Sequence, residues 1–487
     1  MSSFLSPSGA RIRGDEYQHL IGWIQVVCAV LPNSNVIEVG IEDPDAGNAD
    51  DVTIYKSSGP KEFFQIKSAV DGRETANIDW LIRPSKTGGP SIIKGLFDIW
   101  NQHNVSGSKL KITFFTNRPA SADDNFISLR DGRNGTVVKR IKEGDPNSEI
   151  GRLRKRLITH LNTTEEECLS FLNDLSFRVG RLYDELRADA RTLMYSAGFR
   201  YDEEAITLGE SIVRSWVTNG KRRLAITEVK DEVKGLLRMG ETPSAALLIQ
   251  AIDRDPMPET ATIVLEWIDF FSGTEPRTRR ALIDNALWNT KFKKEIQEAA
   301  RILRSQGETR VLVKGYMRLP TWFTAGVELG RTAGFEEIAS FQGDALWSSK
   351  GEVIEYPVEI ISNNKLSEKS ELAVSIALSV DPTKDVINHL QKTSNDVGRY
   401  ICIAPTVGVG NTVLQNERQV RQWAYNIRDE VRNISREYQP SKVHLFLSAP
   451  HGAVLLLGHL WDRMPPTQLY EDAGAIGSYS PSFLIPN

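Results

Sequence analysis

Three short runs follow one another between residues 35 and 69 with only turns between them: N-V-I-E-V-G-I-E, V-T-I-Y and E-F-F-Q-I-K. Their length and their β-branched and aromatic residues make them strands, read as Val36–Ile41, Asp51–Tyr55 and Glu62–Ala69, so the first half of the chain must fold around a small sheet. Side chains alternate along a strand, which puts Gln65 and Lys67 on one face and Phe64 and Ile66 on the other. The turn S-S-G-P sends the third run back along the second and brings Asp51, at the mouth of V-T-I-Y, toward Lys67.

What flanks these runs predicts an α/β domain. Apolar residues at Tyr17, Leu20, Ile21, Ile24, Val27, Cys28 and Leu31 have helical spacing with one buried face, and Pro32 ends that helix. A helix over Ile92–Trp100 and a strand over Leu110–Thr116 continue the alternation. From Lys139 to about Met239 the chain turns to long charged amphipathic segments, read as a helical extension. A capping box of Thr163 with Glu166 precedes Leu169, Leu172 and Leu175, and Leu182 with Leu186 opens the next helix. R-L-R-K-R at 152–156 and G-K-R-R at 220–223 are candidate phosphate contacts, although basic runs on helices also serve as solvated faces.

Residues 240–260 are rich in Pro, acidic and turn-forming residues, with Ala245–Ile252 read as helical, and they divide the chain into 1–239, a 240–260 linker and 261–487. Beyond the linker come a strand at Ala261–Phe271, a helical region at Thr278–Ser305, a strand at Arg310–Lys314 and a helix from about Pro320. A similar order restarts near Glu371. It has strands at Leu372–Val380, Arg399–Ala404 and Lys442–Ser448, with helices beginning at Val386, Gln415 and Ala453. Two successive runs of this kind predict a pseudo-duplicated Rossmann-like domain with parallel sheets.

At 487 residues the chain exceeds one ordinary core. A net charge of −4 gives no global attraction to nucleic acid, so contact with DNA requires local patches. Cys28, Cys168 and Cys402 are too scattered for a zinc site or a disulfide framework and read as buried thiols of a reducing compartment. The N-terminal residues lack a basic-then-apolar pattern, and the apolar run at 453–457 is too short for a bilayer, so the expectation is a soluble, cytoplasmic protein with no membrane partner.

A carboxylate beside a neutral carbonyl oxygen suits a hard divalent cation, since Mg²⁺ takes one or two carboxylates plus phosphate and water. A neighbouring lysine offsets the charge that grows on an attacked phosphate. Asp51, Gln65 and Lys67 therefore fit metal-assisted phosphodiester cleavage, with Glu38 and Asp50 as further acids. Two acids near a turn also describe a solvated loop, and spacing alone does not choose between the two. In the second half, S-V-D-P-T-K (379–384), A-P-T-V-G-V-G-N-T (404–412), S-A-P-H-G-A (448–453) and G-Y-M-R-L-P-T-W (315–322) stand where parallel strands end and anions bind. Neither G-x-G-x-x-G nor a P-loop occurs, and His451 has no Ser/Asp partnership, so it reads as a hydrogen-bonded loop residue.

The order G-D-E-Y-Q, acidic strand, D-D-V, F-Q-I-K and F-F-T-N resembles the PD-(D/E)xK nuclease superfamily, and within it the Q-x-K nuclease domains of bacterial anti-phage proteins. The resemblance implies that Asp51 is the central metal ligand, that Gln65 stands in the usual place of Asp or Glu, and that Lys67 is the catalytic lysine. Glu38 and Glu16 become candidate extra acids. Gln65 removes one negative charge, which Glu38 or Asp50 would restore.

The segments E-L-A-V-S-I-A-L-S-V-D-P, K-V-H-L-F-L-S-A-P-H-G-A-V-L-L-L-G and Y-E-D-A-G-A-I-G-S-Y-S-P-S-F-L-I resemble the SAVED domain across about Thr262–Ile485. That family implies a fused pair of CARF-like Rossmann units that senses cyclic oligonucleotides. Tyr479, with Pro481 and Phe483, reads instead as packing of the final strand. Arg318, Trp322, Ser379, Asp381, Pro405, Thr406, Ser448, Pro450 and His451 are the candidate ligand contacts. Together the resemblances imply a nuclease–SAVED effector of bacterial cyclic-oligonucleotide anti-phage signalling. Such an effector uses Mg²⁺ (or Mn²⁺), is activated by a cyclic oligonucleotide second messenger, assembles as a homo-oligomer and degrades double-stranded DNA. A restriction-like endonuclease with a C-terminal DNA-recognition domain, or a non-catalytic nucleotide sensor, would share most of these features.

Overall fold

The structure is a computed structural model that describes residues 7–31, 34–49, 51–71, 73–85, 88–104, 110–132, 134–238, 244–273, 281–393, 396–472, 474 and 478–486. Its contacts divide the chain into Met1–Pro243 and Ser244–Asn487. Pro32, Asp50 and the start of the expected helix at Thr278 lie outside the described residues.

In the first unit α1 (Pro7–Val30) precedes an antiparallel meander of β1 (Val36–Ile41), β2 (Val52–Lys56) and β3 (Lys61–Lys67). After α2 (Ile78–Ile82) and α3 (Ile92–His103), β4 (Leu110–Thr116) lies parallel to β3. Then α4 (Val138–Glu143), α5 (Glu149–Leu161) and α6 (Glu165–Asp174) lead to β5 (Leu175–Val179), parallel to β4. Finally α7 (Tyr183–Ser196) and α8 (Glu203–Thr218) precede β6 (Arg223–Ala225), antiparallel to β1, and α9 (Ile226–Val233). The sheet order is β5-β4-β3-β2-β1-β6.

Residues 139–239 are therefore not an appended helical extension, because they supply both edges of the sheet. The capping box is Thr164 with Glu167, one residue later than the spacing predicts. Leu175, expected on that helix, is instead the fully buried first residue of β5. Pairing register places Phe63, Ile112, Phe114, Leu175 and Phe177 on one face, where they form a core with Phe97, Trp100, Leu157 and Phe171 from the covering helices. On α1 the spacing predicts one buried face, yet Trp23, Val26 and Ala29 are buried as well. The helix is enclosed because it packs on the sheet and against α7, α8 and α9. Gly209 on α8 allows the approach, since a Cβ there would overlap the Trp23 ring.

The second unit opens with β7 (Ala245–Gln250), all six residues of which are buried. This segment, expected to be a helix inside the linker, is a strand with parallel neighbours β8 (Ile263–Glu266) and β9 (Arg310–Tyr316). Periodicity alone does not distinguish so short an apolar run from a helix, and its place between two strands decides it. The expected long strand at Ala261–Phe271 shrinks to β8, and the expected helical region up to Ser305 is helical from Trp288, where a π-helical turn (Trp288–Phe292) continues into α10 (Lys293–Ser305). α11 (Leu319–Glu328), β10 (Glu337–Gln342) and β11 (Ala345–Ser348) finish this half, with sheet order β11-β10-β9-β7-β8.

The next half begins with an edge strand that the sequence reading does not foresee, β12 (Val358–Lys365), followed by β13 (Glu371–Ala377), α12 (Thr383–Lys392) and β14 (Val397–Pro405). Then come α13 (Glu417–Tyr438), β15 (Val443–Ser448), α14 (His451–His459), β16 (Thr467–Asp472) and β17 (Tyr479–Ile485), with order β12-β14-β13-β15-β16-β17. In each half the first parallel strand is central, the second lies on one side, the third and fourth lie on the other, and an antiparallel strand closes the row. The duplication thus extends to strand order, and its first copy starts at Ala245 rather than Ala261. Both sheets contribute to one core cluster.

Helices α11 and α14, which follow the third strand of each copy, meet backbone to backbone. A Cβ on Gly326 would overlap the Leu455 carbonyl oxygen, and one on Gly458 would overlap that of Phe323. A rotamer change cannot relieve a clash with backbone, so Gly326→Ala is expected to destabilise the protein by about 1–3 kcal/mol, read as a lower melting temperature.

At the end of α14, His459 Nδ1 donates to the Leu329 carbonyl at 2.7 Å, and burial pushes its pKa from 6.5 down to about 4. The folded state then holds fewer protons than the unfolded state between those values, so stability is present above the unfolded pKa and is lost as pH falls from about 6.5 toward 4. The loss amounts to at most about 3 kcal/mol. His459→Asn keeps an N–H for Leu329 without titrating, and melts across this range should show a shallower pH dependence than wild type.

Candidate functional site

Val52 pairs with Phe64 across β2 and β3, so Asp51, one residue earlier, comes opposite Gln65. Asp51 Oδ2 accepts from the Gln65 side-chain amide and from the Ile66 backbone N–H, the latter at 2.6 Å. Relative exposures of 8% for Asp51 and 6% for Gln65 exclude a solvated loop. Lys67, two residues on and on the same face, is exposed. Asn117 fixes the chain beyond it, accepting from Ala69 N–H and donating to Ala69 O, both at 2.7 Å, so the ends of β3 and β4 are tied together.

The other expected acids separate from this centre. Glu38 stands opposite Tyr55, three register positions from the Ile41–Val52 pair, or about 10 Å along the strand. Its carboxylate accepts from Arg223 Nε at 2.9 Å, and the Arg223 guanidinium covers the Tyr55 ring at 3.9 Å. Glu38 is therefore an ion-pair partner at the β1–β6 edge rather than a companion of Asp51. Glu16, on α1, lies in the field of His19 and Glu210. Asp50 lies outside the described residues. A carboxylate that the sequence reading missed is Asp43, buried and accepting from Thr53 Oγ1 (3.2 Å), Tyr55 OH (2.9 Å) and the Asp45 N–H (3.0 Å). Burial and that hydrogen bond push Tyr55 up to about 12. The signal for it is the glycine at position 40, where a Cβ would overlap Thr53 Oγ1.

Among the described residues no group of three or more His, Cys, Asp or Glu side chains is close enough to hold a metal. One carboxylate and one amide oxygen are nevertheless hard donors, and they suit Mg²⁺, which keeps water and phosphate in its shell, better than Zn²⁺. Most members of the expected basic clusters are engaged within the fold. Arg154 donates to the Ile141 and Lys142 carbonyls, Arg156 pairs with Asp79, Lys221 with Glu232, Arg222 with Glu42, and Arg223 with Glu38.

In the second unit β13 is flanked by β14 and β15, so the loops after β13 and β15 border the point where strand order reverses. The structure brings these loops together. Leu378 and Ser379 N–H donate to Ser448 O at 2.8 and 2.9 Å, Val380 N–H donates to Ser448 Oγ at 3.1 Å, and Gly410 N–H donates to Leu378 O at 2.8 Å. Thr406 is exposed, with its N–H on Pro357 O, and Pro450 is the N-cap of α14. Arg318, the N-cap of α11, ion-pairs with Glu471 at the end of β16.

Other candidates have structural roles. Trp322 (3% exposed) and Pro405 are buried, and Trp322 packs on the His451 ring at 4.5 Å. The Asp381 carboxylate accepts from the N–H and hydroxyl of Thr383. His451 Nε2 donates to Phe341 O, and burial holds its pKa below the ordinary value. The duplication adds a loop that the sequence reading passed over. Asp255-Pro256 follows β7 as Asp381-Pro382 follows β13, and Asp255 pairs with Lys314 at 3.2 Å.

A paired parallel fold of this kind, with its loops gathered at strand ends, has a counterpart among known families. Residues 292–485 match SAVED, described as the SMODS-associated and fused to various effectors sensor domain, so the second unit carries a SAVED sensor domain. The chain as a whole is homologous to CD-NTase-associated protein 4 of Enterobacter hormaechei subsp. hoffmannii (strain UCI 50). Identity is 23% over 526 aligned positions, which cover 98% of this chain and 99% of the relative.

Among solved structures it is similar to the Acinetobacter baumannii Cap4 SAVED/CARF-domain containing receptor with the cyclic trinucleotide 3'3'3'-cAAA (12% identity, TM-score 0.44, 99% of each chain). It is also similar to the Moraxella osloensis Cap4 receptor (13% identity, TM-score 0.40, 97% of this chain and 99% of that one). Asp51 and the strand that carries Gln65 and Lys67 lie outside the SAVED match. No helix among the described residues is long and apolar enough to cross a membrane.

Proposed function

We propose that the chain is an anti-phage effector whose SAVED domain binds a cyclic oligonucleotide and whose first unit, once activated, cuts double-stranded DNA. The observation that carries the nuclease reading is the buried Asp51–Gln65 pair with Lys67 exposed beside it. The sensor reading is supported by the family of the second unit and by homology along the whole chain to CD-NTase-associated protein 4.

Asp51 and the Gln65 side-chain oxygen are the groups that would hold Mg²⁺ (or Mn²⁺), which when bound supplies Lewis acidity and a water of lowered pKa. Lys67 faces the attacked phosphate and offsets the negative charge that grows there. Ile66 N–H and Gln65 orient the Asp51 carboxylate. In the sensor, the Ser379 and Ser448 loops and the first N–H groups of α14 face the ligand's phosphates. The cytoplasm, which holds both messenger and DNA, is the compartment this function requires. If the ligand binds the associated form better than the free one, linkage drives assembly into a homo-oligomer.

The test is a plasmid-degradation assay in Mg²⁺ with a panel of cyclic di- and trinucleotides. Wild type should cut only with one ligand. Lys67→Ala should lose at least about a hundredfold in rate with unchanged ligand affinity. Asp51→Asn should be inactive, and Glu38→Gln should cut at close to the wild-type rate because Glu38 pairs with Arg223. Cutting without any ligand would sink the sensor-gated reading, and full activity in Lys67→Ala would sink the assigned centre.

A further inference from the structure

The expected basic clusters are largely used in ion pairs, but another group of cations in the first unit is not. A cavity of about 460 Å³ is lined by Ser128, Arg130, Asp131, Thr136, Lys139, Arg140 and Glu143, among others. Lys139 and Arg140 are exposed, and among the described residues neither they nor Glu143 form an ion pair, although Glu143 is one helical turn from Lys139. Arg130 is half-buried, with one guanidinium nitrogen on Ile127 O at 3.1 Å, and it lies in the field of Arg178. Burial and that second cation lower its pKa, a crowding that an anion would relieve.

The place of this cavity in the sheet bears on which anion it takes. Thr136 bridges Ser176 on β5, and Phe177 N–H donates to Gly135 O at 2.9 Å, so Gly135 and Thr136 lie along the β5 edge. Arg178 is level with Phe115 on β4, which is level with Ile66 on β3. The cavity thus stands three strand spacings from the Gln65 strand, about 14 Å, at the same height along the strands. A duplex bound across the Gln65 strand carries backbone charge past this point, since it bears one negative charge per about 1.7 Å of helix axis.

We propose that the cavity lined by Arg130, Lys139 and Arg140 is a phosphate subsite that grips the DNA backbone to one side of the scissile link. The proposal rests on the nuclease reading above, and the test separates the two. The full-length Lys67→Ala protein and the same protein carrying Lys139→Ala and Arg140→Ala, each saturated with the cyclic nucleotide that switches on cutting in the plasmid assay, are titrated with a fluorescent DNA duplex over a range of salt concentrations. Both extra changes are on exposed side chains, so a matched melting curve is expected.

The triple variant should bind at least about tenfold more weakly, with a slope of log Kd against log salt smaller by nearly two, since each phosphate contact contributes about 0.9. Equal affinity and slope in the two proteins, while wild type still cuts plasmid, would overturn the subsite alone. Failure of the Lys67→Ala parent to bind duplex at all would overturn the nuclease reading with it. A melting-temperature rise with inorganic phosphate that the triple variant loses, without a change in duplex affinity, would make the cavity a small-anion site and overturn its assignment to DNA.

Discussion

The candidate site of the first unit depends on two hydrogen bonds into one carboxylate oxygen, from the Gln65 amide and the Ile66 N–H to Asp51. Asp51 is buried at the open end of β2, where a carboxylate without donors would carry a large desolvation cost. The two donors come from β3, so satisfying the charge also holds the start of β2 to the end of β3 and sets where Lys67 emerges. A carboxylate at position 65 would repel Asp51 unless a cation lay between them, whereas glutamine donates to it. The glutamine therefore lets the pair form without a cation between its members, at the cost of one negative charge. Glu38 does not replace that charge, because Arg223 already neutralises it.

In the second unit, backbone contact between α11 and α14 has the corresponding importance. Both helices follow the third strand of a duplicated half, and both carry a glycine where they touch. Close approach there brings the two halves into a single core, so the strand-end loops of each half are positioned by shared packing. The Ser448 carbonyl and hydroxyl then gather the N–H groups of residues 378–380. A rim built from backbone bonds in this way leaves side chains such as Thr406 exposed, while Trp322 and Pro405 lie underneath.

Much of this was legible in the sequence where local pattern and fold agree. The meander, the buried helix α14 and the alternation of the second unit follow from short-range periodicity, and one turn brings Asp51 to the end of β3, where Gln65 rather than Lys67 stands opposite it. The misplaced elements share a cause. Ala245–Gln250 is apolar on both faces, as a central parallel strand must be, and so lacks the alternation that marks a strand. Leu175–Val179 and Arg223–Ala225 are short edge strands whose partners are far away in the chain, and β12 owes its existence to pairing with β14.

The sequence by itself determined the residue chemistry: a carboxylate, an amide and a lysine on adjacent strands, four glycine-rich or proline-bearing loops at strand ends, and enough apolar residues for a core in each unit. The tertiary structure decided which charges remain available. Arg154, Arg222, Arg223 and Glu38 look like functional charges in the sequence and are engaged in internal pairs, whereas Arg130, Lys139 and Arg140 look ordinary and line a cavity. The reason is physical. An ion pair or a buried hydrogen bond is formed between residues distant in the chain, and whether a charged group has found such a partner depends on strand register and helix packing rather than on its neighbours in sequence.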